Sequence, residues 1–523
     1  MPVRERGRPG VPVRNDHAMS SSVQWAIRRS FWDALTVLKY RGNKPVHVPV
    51  PAAFGGPVES VPLRHVFPTI PIDAIPFAKA VPPDEASPLK RRFYGLQAWL
   101  AKRFAPHLPD LPEVDADPER RLAQAYRARK RALFPAPLLP PEFAGPEPDL
   151  GALALAGPYY GYLTPCGEGR WHWDLRVLGD FEHLPEVYNL ASRVVFERDG
   201  AGLKPVLIEC ELGTVAPADP HWPTARAIAL CALTTHCGLI RHFNGVHLTF
   251  GSSLAIESRN ALPADHPLLR LLWPHIYGTQ YSNEMATLSQ LDPAGDFAQM
   301  YSFTLRGLYD LFERTYASLR LSDYDPVAYL EASGLREAGI ASPSASDLGA
   351  IYASFETHAR AYLDAYYATD ADLAADTAVA RWLDAFERAV PNGLPAWARP
   401  LTIASLARLI AVLIYVVVVE HEIRGTLLWN YQMWTHVHPV RVYRSGRREP
   451  VDVYQRLVNS TMTLNVTRAS LLEDYSYLAL DERGAEVFRA FRSRLDALGR
   501  EQNDDPRLLW KLYPDMLNAN MNA

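Results

Sequence analysis

The chain has 523 residues, 48% of them hydrophobic and 21% charged, which is enough for one large core or two to three ordinary domains and excludes a mainly disordered or fibrous protein. Its 54 Lys and Arg stand against 58 Asp and Glu, a formal charge of −4, so there is no electrostatic case for a nucleic-acid partner. The four cysteines, Cys166, Cys210, Cys231 and Cys237, are too few and too scattered for a disulfide framework or a zinc finger, and a reducing, cytoplasmic setting is expected.

Residues 1–22 are basic and polar, lack the apolar stretch of a signal peptide and read as a disordered tail, with Met19 a second candidate start. Residues 23–174 read as a Pro-rich and helical N-terminal portion. It has a short helix over 23–42 and a Pro-rich stretch over 43–90 that wraps a surface in extended form. An Arg-rich helical pattern and a second Pro-rich run, LFPAPLLPPEFAGPEP, follow. The best strands are RVVFERDG and KPVLIECEL, within 175–212. After Pro220 the chain reads as helices over 222–250, 268–290, 296–320, 346–367, 376–390, 400–430, 450–475 and 484–500. The most apolar run, Leu409 to Val419, is too short to span a bilayer and is flanked by Arg408, Glu420 and His421, so a buried helix is predicted and no transmembrane segment. No internal repeat occurs, and no GxGxxG leading into a helix, GxxxxGK[ST] or GxSxG, so nucleotide-binding and serine-hydrolase chemistry have no support. Pattern alone gives a mainly α fold with a minor β region in the first half.

The segment WPTARAIALCALTTHCGLIRHFNGVHLTF, from Trp222, carries three of the 16 histidines: His236, His242 and His247. Two histidines share a metal best at i, i+4 on an α-helix. His242 and His247 stand at i, i+5, about 140° apart on a regular helix, so a shared ion requires a widened, π-type turn. His236 and His247 share a face but lie about 16 Å apart along the axis and cannot hold one ion together. The pair is therefore His242 with His247, or His242 with a group near position 237. Core histidines bonded to backbone carbonyls are the alternative.

The next stretch, SRNALPADHPLLRLLWPHIYGTQYSNEMA, resembles a lipoxygenase. His266-Pro267, Leu271-Leu272 and Pro274-His275 are similar to that family's HPxxKLLxPH-like run, with Arg270 in place of Lys and Thr279 and Asn283 in step. Asp219, Trp222, Ala225 and Arg226 resemble the lead-in to its His-rich helix. VVVVEHEIRG, around His421, resembles the helix that supplies the third histidine ligand. YPDMLNANMNA resembles the family's C-terminus, whose main-chain carboxylate is an iron ligand.

The resemblance implies a lipoxygenase-like helical catalytic domain without an N-terminal β-barrel domain, its helical core and metal site within 175–523. It implies a non-haem iron centre drawn from His236, His242, His247, His421 and the Ala523 carboxylate. Asn283 and Ala286 would line the substrate pocket, Ala286 at the position that correlates with the side of oxygen attack. The partners would be O2 and an apolar unsaturated small molecule, with transient membrane contact left open. The reaction would be hydrogen abstraction from, and oxygen insertion into, a polyunsaturated fatty acid or related lipid. Three departures keep alternatives open. Counting from Trp222 puts Cys237 at the first ligand position. Gly425 stands where the family has a further weak ligand, a place water could fill. Thr287 replaces the basic residue that often follows Ala286. A tailoring oxygenase or hydroperoxide isomerase on another small molecule, or a metal-free lipid-binding relative, are the other readings.

Overall fold

The computed structural model describes residues 47–52, 57–86, 92, 139–427, 431–432, 434–446, 469–503 and 513–521. The expected tail over 1–22, the helix over 23–42, nearly all of the Arg-rich pattern and most of 450–475 lie outside the described residues.

The Pro-rich segment contributes a two-stranded antiparallel ribbon, β1 (Ser60–Pro62) with β2 (Pro76–Ala78). Val48, Leu63, Ile70, Ile72, Ile75 and Phe77 all point from this segment into the core, so it wraps the helices with its apolar side inward.

A five-stranded antiparallel meander follows in chain order: β3 (Thr164–Gly167), β4 (Arg170–Asp174), β5 (Arg193–Asp199), β6 (Gly202–Cys210) and β7 (Gly213–Val215). β5 and β6 coincide with the two predicted strands. The sheet begins earlier than expected because Trp171 and Trp173 alternate inward on β4, against Phe196 of β5, while Arg170 and Asp174 face out. Gly167, Gly169 and Gly200 take positive φ in the tight connections.

Helices make up most of the rest. A central helix runs through 222–261 as three joined segments, described below. The expected helix over 268–290 breaks into Pro267–Ile276 and Thr279–Ala286, because Gly278 adopts φ 86° between them. The one over 296–320 breaks into Asp296–Met300 and Leu305–Tyr316. Pro343–Tyr366, Thr377–Ala389, Ile403–Tyr415 and Glu482–Asn503 lie where helices were predicted. Residues 469–475 are not helical. Leu471 N donates to Leu517 O at 2.9 Å, and Ala519 N donates to Ala469 O at 2.7 Å, so this stretch pairs with the tail.

One contiguous apolar core reaches from Val48 to Met521. At its centre lies Ile403–Gly425, the one helix among the described residues with the length and composition to cross a membrane. In this structure 83% of its most apolar window is buried inside the protein.

Close packing of helix Leu150–Leu155 on β6 depends on Gly151, where a Cβ would lie 1.8 Å from Leu203 O. Gly151→Ala is expected to destabilise the protein by about 1–3 kcal/mol in urea unfolding, the range for forced overpacking. No change in the midpoint would show that helix and strand are free to separate.

Candidate metal centre

The central helix is α-helical over Trp222–Thr235, π-helical over His236–Gly251 and α-helical again over Ser252–Ala261. One cause of the widening is visible. Tyr324 Oη donates to Arg241 O at 3.0 Å, the carbonyl that in an α-helix would serve residue 245. Residue 245 is glycine, and a Cβ there would lie 1.8 Å from that hydroxyl. Asn244 is fixed beside it, its Nδ2 donating to Phe312 O at 3.0 Å and Thr315 Oγ1 at 2.9 Å.

The wide turns bring His242 and His247 to one face, with ring centroids 4.9 Å apart. His421 arrives from the buried helix, which itself turns π-helical over Val416–Glu420 and again over Ile423–Leu427. Its ring centroid is 5.2 Å from that of His242 and 4.9 Å from that of His247. One nitrogen from each of the three lies within 4.8 Å of the others.

Each ring is held by a second group or by packing. His247 Nδ1 donates to Asn283 Oδ1 at 3.0 Å, and Asn283 Nδ2 donates to His247 O at 2.8 Å. Asn283, expected to line the substrate pocket, thus spends both polar groups on His247 and is fully buried. His421 Nδ1 faces Glu422 Oε1 at 3.3 Å, and the same oxygen accepts from Asn518 Nδ2 at 2.7 Å. His242 packs on Gly425: a Cβ at 425 would lie 2.9 Å from His242 Cε1 and 3.2 Å from its Nε2. The imidazole fills the space beside Gly425.

Burial, then the neighbouring His247, His421 and Arg424, push His242 well below the ordinary histidine range. Burial and His421 push His247 down to about 3, against the bond to Asn283. Both are therefore neutral at pH 7, the form with a free lone pair that binds metals. His242 Nε2 is buried with no hydrogen-bond partner among the described residues, an arrangement that is costly unless something accepts its lone pair. A divalent ion among the three imidazoles would do so, and imidazole donors suit iron as they do zinc, copper or nickel.

His236 and Cys237 are not in the group. His236 Nδ1 lies 3.1 Å from Tyr162 Oη, and Cys237 Sγ is 3.6 Å from Pro158 O, its thiol pushed up to about 11 by burial. Ala286 is buried at the end of Thr279–Ala286, where the helix continues as a π turn over Thr287–Leu291. Ala523 lies outside the described residues. The tail before it is threaded against the other site elements. His275 Nδ1 donates to Ala519 O at 2.6 Å, Asn520 Nδ2 to Tyr277 O at 2.9 Å and Ser282 Oγ to Met521 O at 2.9 Å. Sequence reasoning missed the roles of Asn283 and Asn518. The one available signal was charge: Glu420, Glu422 and Arg424 directly follow an apolar run.

No protein-family model matches the chain. A linoleate 9/13-lipoxygenase of Pseudomonas aeruginosa is 25% identical over 248 residues, a match covering 43% of this chain and only 34% of that protein. Among solved structures, a calcium-dependent 11R-lipoxygenase superposes with a TM-score of 0.72 at 16% identity, covering 99% of this chain and 83% of its own. A deletion variant of a LOX, crystallised anaerobically with arachidonate, gives 0.70 at 15% identity, covering 97% and 82%. The chain has the fold of a lipoxygenase catalytic domain, and part of its sequence is similar to that of a lipoxygenase.

Two expectations follow. Gly425→Asn adds a side chain that could ligate, yet it should lower affinity for ferrous iron at least about tenfold, as should Gly425→Ala, because His242 must move; losses of about 10–100-fold are typical when a ligand loses its support. Tighter binding by the Asn variant would show that position 425 can still ligate. The second expectation concerns pH. Burial is the largest cause in holding His236, His247, His358 and His438 at about 3 and His275 at about 4, and it holds His242 lower than its ordinary value too. These groups take protons in the unfolded chain near pH 6.5 but not in the folded one. Stability of the metal-free protein should be full above about pH 6.5 and fall as pH drops toward about 3. Glu142, raised to about 7 by burial, works in the opposite sense as a single group. Equal urea midpoints at pH 7.5 and 4.5 would contradict buried neutral imidazoles.

Proposed function

We propose that the protein is a non-haem iron dioxygenase of lipoxygenase type, which takes a hydrogen atom from a polyunsaturated fatty acid or related lipid and inserts O2. The observation that carries this reading is the convergence of His242, His247 and His421 from two π-helical segments within a lipoxygenase fold. Its relatives support the substrate class: one is named for linoleate and another was crystallised with arachidonate.

His242, His247 and His421 would hold the iron, with the Ala523 carboxylate as a further ligand. When bound, iron supplies the one-electron chemistry that activates a carbon between two double bonds and lets oxygen add to it. The protein's own groups supply order. Asn283 fixes the ring of His247, and Glu422, held by Asn518, fixes that of His421. The bonds to Ala519 O and Met521 O hold the tail on the helices that carry His275 and Ser282. His247 and His421 are buried and His242 is half-buried, which limits the access of bulk water to the group.

Gly425 and Thr287 favour a second reading, in which the same fold and metal serve a tailoring oxygenase or hydroperoxide isomerase on another small molecule. Gly425 removes a ligand, and Thr287 removes a basic group that would meet a fatty-acid carboxylate.

Purified protein with a free C-terminus is expected to hold close to one iron per chain by elemental mass spectrometry and to consume oxygen with linoleate. His421→Ala, or added residues after Ala523, should abolish that iron. Iron without oxygen uptake on linoleate, but with uptake on other alkenes or aromatics, would favour the second reading. A chain that takes no iron even after anaerobic loading would instead be a metal-free lipid-binding relative. Iron retained in the His421 variant would refute the ligand set.

A further inference from the structure

Three charged side chains are sunk into the core directly beside the histidines. Glu420 precedes His421, Arg241 precedes His242, and Arg424 lies one turn beyond His421. Arg424 is 0% exposed, Glu420 3% and Arg241 12%. The Glu420 carboxylate accepts from both arginines: at Oε2 from Arg241 Nε (3.1 Å) and Arg424 Nε (3.0 Å), at Oε1 from their Nη2 groups (3.4 and 3.2 Å). The remaining donors go to backbone carbonyls. Arg424 donates to Pro158 O and, at 2.6 Å, to Tyr160 O; Arg241 donates to Gly161 O at 3.3 Å and Asp323 O at 2.8 Å. The Tyr162 ring lies under both guanidiniums, at 5.6 Å from that of Arg241 and 5.3 Å from that of Arg424. Gly161, at φ 93°, allows the loop to come this close.

Energetics argue that this network is not there for stability. Moving three charges out of water costs several kcal/mol per ion, and well-packed apolar side chains of similar volume often do as well or better. What charged forks provide is a single geometry. Apolar side chains on two facing helices tolerate a shift, whereas a carboxylate shared by two guanidiniums, each also tied to fixed carbonyls, does not. The distinction matters here because a slip of one residue turns a helical side chain by about 100°. Such a slip would carry His242 or His421 out of the group.

We propose that Glu420, with Arg241 and Arg424, forms a positioning clamp that sets the rotational register of the two histidine-bearing helices and docks the loop at 158–161 against them. The clamp ties the helices one residue away from a histidine on each, across 179 residues of sequence. It rests on reading the three histidines as a metal site.

The test uses the full chain and cobalt(II), a spectroscopic stand-in for ferrous iron that needs no turnover. Cobalt affinity, the visible ligand-field spectrum and the thermal midpoint would be measured for wild type, Glu420→Gln, Arg424→Met, Arg424→Lys and His421→Ala. Phe491→Leu, in helix Glu482–Asn503, is the control for simple loss of packing. Glu420→Gln and Arg424→Met are expected to weaken cobalt binding at least tenfold and to shift the spectrum, with partial recovery in Arg424→Lys. The control should lower the midpoint and leave the spectrum alone. Clamp variants that lose stability as the control does, while keeping wild-type spectrum and affinity, would overturn the clamp alone, provided His421→Ala still abolishes binding. Wild-type protein that takes up no cobalt would overturn the histidine reading and the clamp together. Should Glu420→Gln fail to fold, the two Arg424 variants decide by the same criterion.

Discussion

Two histidines five residues apart meet on one face only if the helix that carries them is wound wider than an α-helix. Everything else at the centre follows from that constraint. An α-helical turn would leave His242 and His247 about 140° apart and useless to one another. A long π segment is intrinsically rare and is sustained by its surroundings, here by the Tyr324 hydroxyl drawn to Arg241 O and by a glycine at 245 that makes room for it. The buried helix with His421 widens at the matching height, so two irregular segments face each other where regular ones would have turned a ligand away.

The second organising fact is how many of the polar groups around the histidines are tied to one another or to carbonyls. Asn283 serves His247 twice, Glu422 is shared between His421 and Asn518, and the arginines spend their donors on Glu420 and on carbonyls. Against that background the Nε2 of His242 stands out as the one fully buried site histidine nitrogen without a hydrogen-bond partner among the described residues. The same ring closes the space that a side chain at 425 would need. The absence of a side chain at 425 and the seating of His242 are thus one structural fact.

Much of this could be read from the residues. The alternation in RVVFERDG and KPVLIECEL marks β5 and β6, and the apolar run before His421 marks a helix that is indeed buried. The i, i+5 spacing of His242 and His247 already demanded a widened turn. Other parts could not be read, for physical reasons. β4 was missed because RWHWD alternates over only five residues, too few to compete with its Gly-rich surroundings. The split at Gly278 was hidden by strong helical periodicity on both sides. The role of Asn283 depends on tertiary contact between segments 36 residues apart, and that of Asn518 on one spanning 96. Nothing local marks Asn518 off from a surface asparagine, and the resemblance that singles out Asn283 does not show that it serves His247. His236 was already set apart from His247 by about 16 Å of axial rise, and the structure places it against Tyr162.

The bonds that tie the 517–521 tail to His275, Tyr277 and Ser282 span more than 200 residues each, and Glu422 waits on Asn518 for its orientation. Closing such loops is entropically slow, and contacts of this kind form after the local helices have condensed. The orientation of His421 through Glu422 and Asn518 thus belongs to the completed fold. An ion that recognises only that arrangement stabilises the finished molecule and none of its predecessors. Metal capture would act as a thermodynamic latch, closing on chains that have folded to completion and leaving incompletely folded ones without the gain.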